Sequence, residues 1–340
     1  MNYKKLFGPK IGIDLGTVNC LVINEDKEIL INEPSVVAKV KDSDEVLAVG
    51  FEALDMVGKT PQNIEAIRPL FNGAIANYTI TEQMLEFFIT KALGRVRLIK
   101  PDVTVSIPVG STSVEYRAVF DALKSAGAKN SYLVPEPLAA AIGMELPVFA
   151  PTGNMVVNIG GGTTEVAVVS LGGLVSFASV RTAGNILDEY IANYVRKTHN
   201  LIIGPRASEQ IKIKIGSAIK LAETKQKRVE VRGRDVASGM PKNVVISTNE
   251  VAETIQVPLK DMIKGIQQVL ETTSAELSSD ILDKGMVLSG GTALLANLDN
   301  YITDKTGIPC VVAEDPLYCV VKGLGEILGD IKYFERSLIK

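Results

Sequence analysis

A single histidine, His199, occurs in a chain of 340 residues. With so little imidazole there is almost no material for a His-ligated metal centre or a Ser-His-Asp relay, and its polar setting, RKTHNL, reads as a surface position. Cysteine is nearly as scarce. Cys20, Cys310 and Cys319 share no CxxC spacing, which argues against a thiolate metal site or a disulfide framework. The opening residues MNYKKLFGPK lack the apolar core of a signal peptide, so the expected compartment is a reducing cytoplasm. No run of about 18 apolar residues exists, which excludes a spanning helix but not attachment to a membrane surface. Neither sign of charge dominates. The 36 basic and 39 acidic residues leave a formal charge of -3, so no broad positive field argues for a nucleic-acid partner. Low-complexity segments and long linkers are also missing.

What is present is a globular chain, 46% hydrophobic and 22% charged, long enough for two domains with a buried core each. Residues 10–31, KIGIDLGTVNCLVINEDKEILI, read as a strand, a Gly-containing turn, a second strand, a polar turn and a third strand. Residues 155–180, MVVNIGGGTTEVAVVSLGGLVSFASV, repeat that plan, with Asn158 where the first copy has Asp14. The chain is therefore expected to be internally duplicated. Apolar residues at helical spacing follow each meander, in 81–93 and 188–198. Residues 102–110 predict a buried strand ending in a loop, and 285–302 a strand, a Gly-Gly turn and a helix. Strands mixed with helices around a repeated core imply two α/β domains, with a seam near the Pro- and Gly-bearing 145–153. The basic stretch 223–250 reads as a solvated strand pair.

Glycine lets a backbone turn tightly and brings several N–H donors to one phosphate. DLGTVN (14–19) and NIGGGTTE (158–165) are two such loops, each between strands, which excludes a Walker A loop and a GxGxxG dinucleotide fingerprint. Each alone is explained equally well as a tight hairpin. Two copies in a repeated meander, with a third Gly turn in LSGGTA (288–293), point to a nucleotide held between two domains.

These residues carry a resemblance. IGIDLGTVN, VPEPLAAAIG (134–143), VNIGGGTTEVAV, MVLSGGTALL and YCVVKGLGEI (318–327) are similar, in order, to the five segments of the actin, Hsp70 and sugar-kinase superfamily: phosphate loop 1, connect 1, phosphate loop 2, the adenosine segment and connect 2. NEPSVVA (32–38), KIGSA (214–218), VRGRD (231–235) and AEDPLYCV (313–320) more closely resemble the bacterial actins of the MreB family. The resemblance spans nearly the whole chain. It implies an actin-like α/β fold with duplicated RNase H-like cores and a nucleotide cleft between them. Domain I would comprise 1–150 and about 316–340, with 34–70 as a small subdomain, and domain II 151–315, with about 186–250 as its counterpart.

The resemblance also implies roles. Asp14 would position magnesium through water. Gly16, Thr17, Val18 and Asn19 would contact the phosphates of ATP or ADP, with Asn158, Gly160, Gly161, Gly162 and Thr163 closing from the other side. Glu136 would orient the attacking water with help from Thr163; read alone, it is a helix-start acid beside Pro137. Gly184, Gly290, Gly291 and Thr292 would pack on the nucleotide, and Glu209 with Lys212 would face its ribose or base. The partners implied are further copies of the chain in a filament, related MreB paralogues and an anionic membrane, at the inner face of which the protein would sit.

The family pattern has aspartate where this chain has Asn158, and usually at Asn72, Asn77 and Asn185. An amide keeps the size and one acceptor of a carboxylate but loses its charge. Binding should survive on backbone donors, while catalysis, which needs placed charge, should suffer. Two readings stand: attenuated hydrolysis, or drift in a paralogue for which Asp14 suffices. In GRVRLIKPD (94–102), Leu98 and Ile99 lie among Arg95, Arg97 and Lys100, a pattern suited to an anionic lipid surface or to an ordinary strand edge.

Overall fold

The computed structural model describes residues 8–94 and 99–339. The repeated meanders form as the sequence predicts. In the first half β1 (Lys10–Leu15), β2 (Asn19–Asn24) and β3 (Ile29–Pro34) run antiparallel, and β1 is joined in parallel by β4 (Asp102–Ile107) and then β5 (Asn130–Pro135). In the second half β6 (Asn154–Ile159), β7 (Thr164–Ser170) and β8 (Gly173–Val180) run antiparallel, and β6 is joined in parallel by β9 (Met286–Ser289) and β10 (Cys310–Val312). The two five-stranded sheets, β5-β4-β1-β2-β3 and β10-β9-β6-β7-β8, have the same order and sense. Aligning them pairs Asp14 with Asn158, near the carboxyl end of the first strand of each sheet.

Both sheets are covered on both faces, which explains why their central strands are apolar throughout rather than alternating. Along β6, Met155 and Val157 join one core cluster while Val156 joins another. Helix α1 (Tyr78–Leu93) starts where the Asn77 side chain accepts from the Ile80 N–H at 3.1 Å. Asn77 is thus an N-cap, a position at which amide and acid serve almost equally, so its amide does not bear on catalysis. Helix α2 (Ser113–Ser125) opens with a capping box formed by Thr112 and Glu115. Two three-stranded sheets flank the large ones, one built from 37–40, 46–49 and 64–67, the other from 201–202, 228–235 and 241–247, and a two-stranded sheet joins 70–71 to 74–75. The second three-stranded sheet contains the solvated strand pair expected in 223–250. His199 is half-buried rather than a free surface residue, with Nε2 3.2 Å from a Glu250 oxygen.

Two helices unite the halves. Helix α3 (Glu136–Gly143), from the first half, packs on β6 and β7, and helix α7 (Cys319–Gly329), from the end of the chain, packs on β1, β2 and β4. The helices between these two in chain order include α4 (Gly184–His199), α5 (Pro205–Ile215) and α6 (Gln256–Thr272) of the second half. α3 and α7 meet at two glycines. A Cβ on Gly323 would lie 1.8 Å from the Ala139 carbonyl oxygen, and one on Gly143 would lie 1.9 Å from that of Cys319. Leu21 and Ile23 of one sheet and Val156 and Val169 of the other share a core cluster with both helices.

Gly323→Val should therefore destabilise the fold by about 1–3 kcal/mol, the usual penalty of overpacking. Gly329→Ala, at a glycine with open space around its Cα, should change stability little. Urea unfolding of the two variants checks the difference.

Candidate functional site

The carboxyl ends of β1 and β6 face each other across a cavity of about 610 Å³. Phosphate loop 1 follows β1. Gly16 is required there, because a Cβ would sit 2.6 Å from the Asn19 carbonyl oxygen. Its own carbonyl accepts from Ser35 Oγ at 2.7 Å. The Val18 carbonyl accepts from Arg68 Nη1 at 2.9 Å and from the Ser35 N–H at 2.8 Å. Thr17 Oγ1 accepts from the Gly73 N–H at 3.0 Å.

Phosphate loop 2 follows β6. Gly161 and Gly162 press directly on loop 1, since added Cβ atoms would lie 2.0 Å from Val18 Cγ2 and 2.5 Å from Thr17 Oγ1. The Gly160 carbonyl accepts from Thr292 Oγ1 at 2.7 Å and from the Gly184 N–H at 3.2 Å. Among the described residues, the N–H groups of Gly16, Thr17, Gly161 and Gly162 find no protein acceptor. Carbonyls are satisfied from behind while amides remain for an anion, which is the arrangement of a phosphate cradle.

The floor is acidic. Ser106 Oγ donates to Asp14 Oδ1 at 2.7 Å, and burial pushes the Asp14 carboxyl up to about 6 against that hydrogen bond. Asn158 is a bridge: Ser289 Oγ donates to its Oδ1 at 3.0 Å and its Nδ2 donates to Glu136 Oε2 at 3.1 Å. Burial, then the charges of Glu165 and Asp14, hold Glu136 well above the ordinary carboxylate range, with the Asn158 N–H opposing. Among the described residues no group of three His, Cys, Asp or Glu side chains converges to hold a metal by itself. The donors are hard oxygens without thiolate or imidazole, and they fit magnesium held mainly by phosphate and water, beside Asp14.

Asp14, Gly16, Thr17, Val18, Asn19, Glu136, Asn158, Gly160, Gly161, Gly162, Thr163, Gly184, Glu209, Lys212, Gly290, Gly291 and Thr292 all line this one cavity. Within it, Lys212 Nζ donates to the Gly184 carbonyl at 3.0 Å and to Asp188 Oδ2 at 2.8 Å. Burial raises Asp188 to about 6 despite that ammonium. Leu98 lies outside the described residues, whereas Ile99 is 40% exposed. Sequence reasoning missed Ser106, Ser289, Arg68 and Glu165. Only Glu165 left a signal, as a lone acid within the apolar strand TEVAVVS.

The MreB/Mbl protein family model matches residues 8–336. The chain belongs to the MreB/Mbl family. It is 47% identical over 331 residues to the cell shape-determining protein MreB of Escherichia coli K12, covering 96% of this chain and 95% of that one. With the cell shape-determining protein Mbl of Bacillus subtilis 168 it shares 44% identity over 326 residues, 96% of this chain and 97% of Mbl. The crystal structure of MreB5 of Spiroplasma citri bound to ADP superposes with a TM-score of 0.90 at 32% identity, covering 97% of this chain and 98% of MreB5. The MamK double helical filament, at 18% identity and a TM-score of 0.79 over 94% of this chain and 98% of MamK, shows the same actin-like fold. In this MreB/Mbl chain, as the sequence predicts, the fold is that of the actins.

The Asn158 bridge makes a measurable prediction. In Asn158→Asp a carboxylate oxygen would face Glu136 Oε2 in place of an N–H donor. Without divalent cations the variant should be less stable by about 1–3 kcal/mol, and magnesium should restore most of the loss. Thermal unfolding with chelator and with magnesium checks both halves of the statement.

Proposed function

We propose that this bacterial actin binds ATP with magnesium in the cleft, polymerises head to tail into paired protofilaments under the cell membrane, supports cell shape and hydrolyses ATP slowly. The observation that carries the reading is the face-to-face contact of two glycine loops in which the N–H groups of Gly16, Thr17, Gly161 and Gly162 have no protein acceptor among the described residues. Support comes from S. citri MreB5, crystallised with ADP and with AMPPNP, and from the cell shape-determining relatives. Domain I would take 1–150 and 316–340, and domain II 151–315.

Within that reading, loop 1 and loop 2 hold the phosphates from opposite sides. Gly290, Gly291 and Thr292 support the nucleoside with Glu209. Glu136 and Thr163 orient the attacking water. Bound magnesium would neutralise charge on the transferred phosphoryl group. Asn158 holds Glu136 through an N–H and adds no charge, which favours slow turnover. The same bridge also supports a second reading, a silent paralogue that co-assembles with an active MreB.

Electron microscopy and phosphate release, measured together with magnesium and ATP, ADP or no nucleotide, test assembly and turnover. Double protofilaments and slow release are the expected result. Asn158→Asp should raise release about ten-fold, equivalent to about 1.4 kcal/mol of barrier, and Glu136→Ala should abolish what remains. ATP affinity should change little in both, since the backbone donors stay in place. Filaments with no release in either the parent or Asn158→Asp would select the silent paralogue.

No helix among the described residues is long and apolar enough to cross a membrane, so attachment would be peripheral. Leu98 and Ile99, set among three cations, are the proposed contact. Changing both to Ser should cut pelleting with anionic liposomes several-fold and leave ATP binding intact. Equal pelleting of parent and variant removes the loop from this role.

A further inference from the structure

Glu165 is completely buried, and no Lys or Arg among the described residues forms an ion pair with it. Its two oxygens are divided between the two halves of the molecule. Oε2 accepts the Val109 N–H at 2.9 Å, from the turn that follows β4 of the first sheet. Oε1 accepts from Ser179 Oγ at 2.7 Å, on β8 of the second sheet. The surrounding contact is close. A Cβ on Gly110 would lie 2.7 Å from Ser179 Cβ, and one on Gly73 would lie 2.6 Å from Pro108 Cγ and 3.2 Å from Thr163 Cγ2.

The chain positions of these groups give the contact its meaning. Val109 is three residues beyond Ser106, whose hydroxyl orients Asp14. Glu165 is two residues beyond Thr163, where loop 2 ends. One carboxylate thus ties the segment that aims Asp14 to the loop that carries Thr163, across the floor of the cleft. Hydroxyl and N–H donors take the place of a cation beside this carboxyl, since a buried polar group needs hydrogen-bond partners.

We propose that Glu165 is a positioning residue that sets the separation of Asp14 from Thr163 and Glu136 in the closed cleft, a role that rests on the ATPase reading above. Glu165 does not touch the reacting atoms. Its hydrogen bonds fix two loops that do, and reaction rates are sensitive to about 1 Å in such spacing. Burial raises the Glu165 carboxyl, opposed by the hydrogen bonds from Ser179, Val109 and Thr163.

Three variants of the full chain test this. Glu165→Ala removes both bonds, Ser179→Ala removes one with less risk to the fold, and Glu165→Gln keeps both, since its amide oxygen accepts from Val109 and its NH2 donates to Ser179 Oγ. In single-turnover and steady-state assays, Glu165→Ala should lower kcat about 10- to 100-fold with ATP affinity within about three-fold, Ser179→Ala should fall between, and Glu165→Gln should stay near the parent. A second measurement does not need hydrolysis. The native cysteines are all buried, so spin labels at Lys59→Cys, in the turn after the helix Phe51–Met56, and at Lys225→Cys, at the end of the short helix Glu223–Lys225, report the distance between the segments that adjoin the two flanking sheets. With AMPPNP the parent and Glu165→Gln should give one narrow distance distribution, and Glu165→Ala a broad one. Parent-like kcat in Glu165→Ala, or Glu165→Gln as slow as Glu165→Ala, overturns the proposal. So does a narrow, parent-like distribution in Glu165→Ala. If the parent releases no phosphate the ATPase reading fails, and the distance measurement still decides the role of Glu165.

Discussion

The contact on which the rest depends is the crossing of α3 and α7 at Gly143 and Gly323. Each helix lies on the sheet of the other half of the chain, and at the crossing the backbone of each occupies the space where a Cβ of the other would be. That exchange places the carboxyl ends of β1 and β6 opposite each other. Only then do Gly161 and Gly162 reach Val18 and Thr17, and only then do two hairpin turns become one cradle. A pair of larger residues at the crossing would leave both loops in the sequence and no site between them.

The second constraint is electrostatic. Asp14, Glu136 and Glu165 share a floor in which burial raises all three carboxyls. Hydroxyls and amides, not cations, hold them: Ser106 for Asp14, Asn158 for Glu136, and Val109 with Ser179 for Glu165. Such a floor is balanced best when a cation enters with its anionic ligand. Asn158 fits this picture as a neutral residue that orients Glu136 without adding a further negative charge. The amide that looked in sequence like a lost acid is, in three dimensions, a bridge that accepts from Ser289 and donates to Glu136.

Much of the fold was legible because it is local and repeated. Period-two and continuous apolar runs marked the strands, and the duplicated meander marked the two sheets before any contact was known. The cavity-lining residues were legible for a related reason: glycine and small polar residues cluster at turns where a backbone must approach an anion closely. Asn77 shows the limit of this reading, since grouping it with the other amides hid its role as a helix cap. His199 shows another, because its polar sequence neighbours concealed a partner, Glu250, some fifty residues away.

Sequence by itself determined the strand order within each meander, the position of both phosphate loops, the scarcity of imidazole and thiolate chemistry, and the equivalence of Asp14 and Asn158. These follow from neighbours in the chain and from which residue types are present at all. Tertiary structure alone decided that Ser106 aims Asp14, that Ser289 and Glu136 flank Asn158, that Lys212 is committed to Asp188, and that Glu165 joins the two halves. Each of those is a hydrogen bond or ion pair between segments 22 to 131 residues apart. A single serine or glutamate carries no periodicity, so nothing in its own stretch of chain announces its partner. The partner is chosen when burial in the folded cleft removes water as the alternative.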